Sequence, residues 1–151
     1  GVQVPENVQG RSFAALLRGN EYMPREHIFA EKTFHTDYEP QRAIRTGRYK
    51  LIWNAEVDII NVAGDIMHSA IYPQMIDELT VERPPIELYD LADDPNEQHN
   101  LAGKPDYAET QRRLTRALHE WMQATDDPLL QGPVASPYYQ RARQMLVNDT
   151  M

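Results

Sequence analysis

The chain has 151 residues, a formal net charge of −8 and no cysteine, and 41% of its residues are hydrophobic. This length allows one compact domain with a core but is short for a two-domain enzyme. The acidic balance argues against nucleic acid as a partner, the missing cysteine excludes disulfides and thiol chemistry, and no apolar run approaches a membrane span.

The N-terminal part carries one short helical pattern. Residues 1–10 lack periodicity, which predicts an extended N-terminal arm. Phe13, Leu16 and Leu17 then fall on one side of a two-turn packing helix that ends at Gly19.

The centre of the chain predicts three strands. Residues 27–34 are rich in β-favouring side chains and predict a strand, and residues 35–40 predict a polar and aromatic loop. Residues 42–54 predict two more strands joined by a tight turn at Thr46 and Gly47. We expect Gly47 to take a positive φ, because a two-residue hairpin turn requires it and glycine has no Cβ to clash.

The second strand of this hairpin has two different faces. Tyr49, Leu51 and Trp53 alternate on one face, and alternation places Arg48 and Lys50 on the other. Ile52 interrupts the polar face, so we expect that face to be partly covered.

Residues 55–85 have the weakest pattern of the chain. Residues 57–60 are strand-like and would extend the meander, and residues 67–79, especially 73–79, favour short helical turns. The alternative is a long excursion that decorates one end of the sheet.

The last strand and the longest helix follow. Residues 86–91 alternate as a strand and run into a turn at residues 93–96. Asp106 and Glu109 have the spacing of a capping box, which predicts a helix start, and the helix is expected to end near Thr125.

This helix is predicted to cover the apolar face of the sheet. Large apolar side chains recur along it at helical spacing: Tyr107, Leu114, Leu118, Trp121 and Met122. The predicted fold is therefore α+β, an antiparallel sheet of about four strands packed against a long C-terminal helix. We expect a single domain over residues 1–151, with residues 129–151 forming a tail that carries a short helix at residues 138–146.

Two segments, together with the helix that contains Trp121, carry a resemblance to a known family. They are Arg42-Ala-Ile-Arg-Thr-Gly-Arg-Tyr-Lys-Leu-Ile and Glu87-Leu-Tyr-Asp-Leu-Ala-Asp-Asp-Pro-Asn-Glu-Gln-His-Asn-Leu. From about residue 10 to residue 128 the chain resembles the C-terminal region of a type I sulfatase of the alkaline-phosphatase-like superfamily. Residues 31–38 and 125–128 are most similar to the heparan N-sulfatase (sulfamidase) branch.

The resemblance implies a smaller subdomain, with a four-stranded antiparallel sheet and a packed C-terminal helix, attached to a large N-terminal catalytic domain. The parent enzyme would hydrolyse sulfuric esters or sulfamates of sulfated glycans such as glycosaminoglycans, using formylglycine and a divalent cation, calcium. Such a parent implies a periplasmic, extracellular or lysosomal location.

The chain departs from the family at the nucleophile. Formylglycine is made in a Cys/Ser-x-Pro/Ala-x-Arg motif, and none of Ser12, Ser69 and Ser136 begins one. The acidic cluster that binds the cation of the family is not recognisable either. We therefore expect no catalytic residue, no metal ligand and no cofactor in this chain.

The candidate site residues are four. By resemblance, Glu31 and His35 line the rim of the substrate pocket, where His35 would donate to a sulfate or hydroxyl; the alternative is an exposed polar loop. Arg42 and Arg45 match the oxygens of an anionic sugar; the alternative is solvation or pairing with carboxylates on adjacent strands.

Other polar clusters favour structural roles. Asp90, Asp93 and Asp94 lack the glycine and glutamate positions of an EF-hand loop, so we expect them to cap a turn. The histidines at positions 68, 99 and 119 lack the spacing of helical zinc ligands. Both tryptophans are expected to pack in the core rather than to stack on a sugar.

Three functions compete. The leading one is a non-catalytic sulfatase subdomain that completes the parent fold and shapes the pocket mouth. The alternative is a free-standing binding or self-association module, and the third is a self-contained hydrolase. The first predicts an exposed apolar patch near the hairpin edge or residues 10–19, where a catalytic domain or a homodimer partner would sit.

Overall fold

The computed structural model describes all residues except 1, 2, 4, 7, 9, 36, 58–61, 63, 81 and 149–151. Its elements in chain order are α1 (Ala14–Leu17), β1 (Ile28–Phe34), β2 (Tyr38–Arg45), β3 (Tyr49–Asn54), α2 (Gly64–Met67), α3 (Tyr72–Leu79), β4 (Ile86–Asp90), α4 (Ala108–Ala124) and α5 (Pro137–Asn148).

The four strands form one antiparallel sheet in the order β1-β2-β3-β4. Ile44 on β2 pairs with Leu51 on β3, and Leu51 pairs with Leu88 on β4, so three apolar side chains lie in a row on one face. Strand β2 begins at Tyr38, so the predicted loop 35–40 is shorter than expected, and Pro40 is buried within the strand.

The β2–β3 turn differs from the prediction. Strand β2 ends at Arg45 and β3 begins at Tyr49, so three residues lie between the strands, and Gly47 does not adopt the left-handed region. The Thr46 hydroxyl instead accepts hydrogen bonds from the backbone N–H groups of Tyr49 at 2.8 Å and Arg48 at 3.2 Å. The turn is therefore stabilised by the side chain of Thr46, its first residue, and not by a glycine in the left-handed region.

Helix α4 covers one face of the sheet, as its apolar spacing predicts. Leu114, Leu118 and Met122 are buried against Ile44 and the neighbouring strands. The Trp121 ring stacks on Phe29 of β1 with centroids 4.8 Å apart and planes 3° from parallel. The predicted α+β fold, with about four antiparallel strands under a long helix, is confirmed.

The start of α4 is not the predicted capping box. A 3-10 turn over Pro105–Tyr107 leads into the helix, and its N-cap residue, Tyr107, provides no side-chain cap. Asp106 therefore lies inside the preceding turn, because Pro105 already places the chain in helical geometry. The helix ends before Thr125, as predicted.

The segments outside the sheet and α4 are less buried. Helix α1 is a single turn rather than the predicted two, and Phe13, Leu16 and Leu17 are 58%, 58% and 75% exposed, so its apolar side is not packed. Gly19 ends that turn with a φ of 70°, as expected. The apolar surface expected near residues 10–19 is therefore present.

Of the helical turns predicted within 67–79, only α3 lies inside that range, because α2 ends at Met67 where the range begins; the tail helix corresponds to α5. The predicted strand at residues 57–60 falls largely on 58–60, outside the described residues. Within the tail, Leu129 is buried in the core and Val134 packs against it. In the described part of the chain, no helix is both long and apolar enough to cross a bilayer.

Candidate functional site

Two of the predicted rim residues lie on β1 or directly after it. Glu31 lies on β1 with its side chain 66% exposed, and His35 follows the end of that strand. The His35 backbone N–H donates to the Asp37 carbonyl at 3.2 Å, and the rings of Phe34 and Tyr38 lie 5.1 Å apart beside the turn. The tip is therefore a short turn braced by two aromatic rings, and it holds His35 at one end of the sheet, whereas Glu31 lies four residues, about 13 Å, back along β1.

Arg42 lies beside Glu31 but is not at the surface. It pairs across the strands with Glu31, and its side chain is 2% exposed. Its Nε and Nη2 donate to the two carboxylate oxygens of Asp127 at 2.5 and 3.0 Å, and Nη1 donates to the carbonyls of Gln41 and Lys32 at 2.8 and 3.0 Å. Its guanidinium thus binds the protein itself through a bidentate ion pair.

The same ion pair places the segment after α4. The Asp127 carboxylate also accepts from the Leu129 backbone N–H at 3.0 Å, which caps a 3-10 turn over Pro128–Leu130. Burial alone would raise the pKa of Asp127, but the hydrogen bonds from Arg42 and Leu129 and the charge of Arg42 outweigh it, so this pKa is lowered. Asp127 is therefore a carboxylate that locks the chain after α4 onto β2.

Arg45 is not brought to this end. It is exposed at the far end of β2, three residues and about 10 Å from Arg42 along the strand. Because three is an odd offset, its side chain lies on the opposite face of the sheet from Arg42. The structure thus places Glu31 beside Arg42, and it places His35 and Arg45 towards opposite ends of the hairpin.

A charged cluster that the sequence did not indicate lies on this second face. Glu39 accepts from Lys32 through one carboxylate oxygen and from Arg83 through the other. Burial and, next, the charge of Arg83 lower the pKa of Lys32. Arg83 lies in the segment without readable periodicity, so no sequence signal places it beside β2.

The rest of the second face is joined by hydrogen bonds. Asn54 accepts from Gln41 at 2.8 Å and donates to Glu87 at 2.8 Å, and Glu87 accepts from the Tyr89 hydroxyl at 2.5 Å. Burial, then the bond to Glu87, raises the pKa of Tyr89. Ile52 lies on the same face as these side chains. The face that the sequence predicts to be partly covered is therefore a half-buried polar network.

Asp90, the last residue of β4, and Asp94 accept backbone N–H groups of the turn that follows, as expected, whereas Asp93 lies 3.5 Å from the Arg48 guanidinium. Asp90 is 1% exposed and accepts from Arg48 at 2.6 to 3.0 Å, and this bond is the largest cause of its lowered pKa. Asp94 accepts from the His99 backbone N–H at 2.8 Å. Among the described residues, no three His, Asp or Glu side chains are grouped so that they could hold a metal ion.

One apolar pocket lies between the sheet and α4. It has a volume of about 220 Å³ and is lined by Leu51, Trp53, Ile86, Leu118, Met122 and Leu130. Trp53 therefore borders a cavity, whereas Trp121 is engaged with Phe29.

A comparison with protein families decides where this fold belongs. The family described as the C-terminal region of aryl-sulfatase matches residues 25–131, more than half of the chain. The chain belongs to this family. The match covers the whole sheet, α4 and the Asp127 segment, so the resemblance inferred from the two motifs is confirmed at the level of the sulfatase family.

Three curated relatives show how this sulfatase C-terminal region compares with longer proteins. The ulvan-active sulfatase of Formosa agariphila is 33% identical over 144 residues, covering 91% of this chain and 29% of the relative. An N-acetylglucosamine-6-O-sulfatase of Bacteroides thetaiotaomicron is 28% identical and human arylsulfatase A is 29% identical, with 80% and 68% of this chain covered. The chain spans only 29%, 18% and 20% of these three proteins.

Solved structures support the fold. A 2-O GAG sulfatase superposes with a TM-score of 0.62 at 24% identity, covering 91% of this chain and 25% of the other. A protein solved in complex with its substrate D-glucosamine-2-N,6-O-disulfate superposes with a TM-score of 0.59 at 24% identity, covering 84% of this chain and 22% of the other. The sheet and helix of this chain thus form the fold that sulfatase structures share.

Proposed function

We propose that this chain is the C-terminal subdomain of a longer sulfatase that hydrolyses sulfate esters of sulfated glycans. The observation that carries the proposal is the family match over residues 25–131, and the small share of each relative that the chain spans supports it. The partner of the chain would be an N-terminal catalytic domain, which supplies the nucleophile that no serine of this chain provides in a suitable motif.

The role of this chain would be to complete the fold and form part of the pocket mouth. We assign His35 to the rim because it lies at the tip of the β1–β2 hairpin, and Glu31 because its exposed carboxylate lies four residues back along the same strand. Arg42 would act on the rim indirectly, as a positioning residue, since its guanidinium is bound to Asp127. Arg45 would meet only a second anionic group of a glycan that reaches the other end of β2.

Formylglycine and a divalent cation, calcium, belong to this proposal as groups of the parent enzyme. The described residues offer no carboxylate and imidazole cluster that fits such a cation, so its ligands are proposed to lie in the catalytic domain. When bound there, the cation would orient a sulfate group; the part assigned to this chain is to bind and orient the rest of the sugar.

We further propose a placement beside the heparan N-sulfatases. It rests on the similarity of residues 31–38 and 125–128 to that branch, and the second segment includes Asp127, which the buried ion pair makes structurally important. The test is the preference of the longer gene product between an N-sulfated glucosamine and a 6-O-sulfated one. Preference for the O-sulfated sugar would remove this placement and leave the sulfatase assignment intact.

The main experiment compares substrates of two sizes. The reading frame containing this chain should encode a Cys/Ser-x-Pro/Ala-x-Arg motif upstream, and its product, made with the formylglycine-generating enzyme, should hydrolyse 4-methylumbelliferyl sulfate. The 151-residue chain alone should not. If His35 lies at the rim, His35→Ala lowers kcat/KM for a sulfated oligosaccharide and leaves the small aryl sulfate unaffected.

His99→Ala is the matched control, because the His99 side chain is 78% exposed and lies in the turn after β4. Equal effects of both substitutions on both substrates would contradict the rim assignment. Turnover by the 151-residue chain would contradict the proposed division of labour.

Self-association is the second candidate. The observation that favours it is the exposure of Phe13, Leu16 and Leu17 on α1 and of Tyr138 and Tyr139 on α5. Sedimentation of the isolated chain at increasing concentration tests it. A concentration-dependent dimer that Leu16→Glu abolishes would support the candidate, and a monomer throughout would remove it.

A further inference from the structure

The strongest unassigned feature is the apolar pocket between the sheet and α4. Its floor consists of Leu51, Leu118 and Met122, which are at most 3% exposed. Trp53 on β3 and Ile86 on β4 are paired with each other and form one wall. The pocket is thus built from both layers of the fold, and its volume is about 220 Å³.

The mouth of the pocket lies on α4 and on the segment that follows it. Thr115 and His119 are one helical turn apart, and both are exposed. Leu130, which follows the buried Leu129, is 41% exposed. The pocket therefore opens to the surface of the described chain, with polar side chains at the mouth and apolar side chains below it.

The size and lining of the pocket fit one large apolar side chain. A cavity of about 150 Å³ with aliphatic and aromatic walls binds benzene, so about 220 Å³ accommodates an aromatic ring or a leucine side chain. Water is a poor occupant of such a floor, because a buried water needs two to four polar partners. The lining therefore favours an apolar group.

The size of the pocket also favours an occupant that is tethered to the chain. A stable interface between separate proteins buries about 800 Å² on each partner, far more than a pocket for one side chain provides. A segment of the same polypeptide escapes this limit, because a covalent link raises its local concentration to the millimolar range. The chain spans only 29% and 18% of two relatives, so most of their length lies outside the matched region.

The sheet places the pocket close to the proposed rim. Successive strand pairings put four residues in one row across the sheet: Glu31, Arg42, Trp53 and Ile86. Because neighbouring strands are about 4.8 Å apart, the backbone of Trp53 lies about 10 Å from Glu31 and that of Ile86 about 14 Å from it. A domain that meets Glu31 at the rim is therefore within reach of the pocket.

We propose that the pocket receives one apolar side chain from the catalytic domain of the longer sulfatase. The identity of the partner rests on the proposed function, whereas the chemistry of the occupant rests on the lining and the size of the pocket. The contact would join the two domains beside the rim and would fix the position of the rim relative to the catalytic domain.

The test uses a single thiol at the mouth, since the chain has no cysteine of its own. Thr115→Cys should react with N-phenylmaleimide at least about tenfold more slowly in the longer gene product than in the 151-residue chain, because the docked segment covers the mouth. Arg113→Cys is the matched control. It is exposed and lies about 200° around the helix from Thr115, so it should react at the same rate in both proteins. Mass spectrometry of the labelled peptide gives each rate.

A second variant fills the mouth from within the chain. Thr115→Phe should lower the melting temperature of the longer product by at least about 3 °C, because its ring competes with the docked side chain, and should leave that of the 151-residue chain unchanged. Arg113→Phe is the control and should be neutral in both proteins. A loss for Thr115→Phe that is equally large in the 151-residue chain would make the effect structural and overturn the proposal.

Three labelling results would also overturn the proposal. Equal rates for Thr115→Cys in the two proteins would mean that the catalytic domain does not fill the pocket, and equal slowing of Arg113→Cys would mean that α4 is covered as a whole. Slowing that increases with the concentration of the 151-residue chain would assign the pocket to a second copy. Labelling does not require turnover, so equal rates leave the proposed function standing, and an inactive longer product with a protected mouth leaves the pocket assigned.

Discussion

Arg42 on β2 and Asp127 after α4 are 85 positions apart and form a bidentate ion pair in which each side chain is only 2% exposed. Removing one partner leaves the other charge buried without its counterion, which typically destabilises a protein by about 3 to 5 kcal/mol. We expect Asp127→Ala to lower the free energy of unfolding, measured with urea, by that amount.

The control for this prediction is the exposed pair between Arg112 and Glu109, whose side chains are 67% and 81% exposed. Glu109→Ala should lower the free energy of unfolding far less than Asp127→Ala, because solvent screens the pair. If Asp127→Ala proves no more destabilising than Glu109→Ala, the buried pair does not hold the C-terminal segment.

Acid should weaken the same contact. The pKa of Asp127 is lowered in the folded protein, so the unfolded chain takes up a proton first as the pH falls. Its contribution to stability is full above the unfolded pKa of about 3.9 and is lost as the pH falls through the folded value. The stability gap between wild type and Asp127→Asn should therefore shrink as the pH is lowered from about 6 to about 3 in a series of urea titrations.

Asp90 should behave in the same direction. Its pKa is lowered chiefly by the hydrogen bond from Arg48, so Asp90→Asn should also flatten the acid limb of the stability profile. A gap between wild type and either variant that is independent of pH would contradict these assignments.

The β2–β3 turn should depend on Thr46 rather than on Gly47. Thr46→Val removes the acceptor for two backbone N–H groups and should lower the free energy of unfolding by about 1 kcal/mol, as for other caps. Gly47→Ala meets no heavy atom within 4 Å and no left-handed backbone, so it should be neutral or stabilising by about 0.5 kcal/mol.

Gly103→Ala is the positive control for glycine, because Gly103 has a φ of 77°. It should destabilise the protein although it too meets no heavy atom within 4 Å of the new Cβ. Thermal or urea unfolding of the three variants ranks them. A larger loss for Gly47→Ala than for Thr46→Val would mean that the turn relies on glycine after all.

The stacked rings of Phe29 and Trp121 should be energetically coupled. In a double-mutant cycle with Phe29→Leu and Trp121→Leu, we expect a coupling energy of about 0.5 to 1.5 kcal/mol beyond the lost burial. Trp53 lies on β3, two strands from Phe29, so the cycle of Phe29→Leu with Trp53→Leu should be additive within about 0.5 kcal/mol. Similar coupling in both cycles would argue against a specific stack.

The sequence predicted the parts of the fold that depend on periodic burial. Strand alternation located β3 and β4, and helical spacing in α4 identified Leu114, Leu118 and Met122 as core residues, because one side of each element must leave water. The family resemblance rests on two motifs at a fixed spacing. Neither motif alone would have identified the family.

The sequence could not predict contacts that join distant segments. The residue type of Arg42 and its place on a strand suit a contact with an anionic sugar. Its actual partner is a buried carboxylate 85 positions away, which no local sequence pattern indicates. The ion pair between Glu39 and Arg83 could not be predicted for the same reason. Local effects of single residues account for the other errors. Pro105 starts a 3-10 turn that includes Asp106, so no capping box forms, and the Thr46 side chain rather than Gly47 stabilises the β2–β3 turn.

The position of Asp127 and Leu129 has a consequence for biosynthesis. Both residues complete the core from beyond α4, so the side of β2 that carries Arg42 and Ile44 stays unfinished until the ribosome has added them. During translation the four strands would leave the ribosome while Arg42, which is buried in the folded protein, is not yet paired with Asp127. We expect the nascent chain to bind chaperones until residue 129 has left the exit tunnel, and to fold cooperatively only after that point.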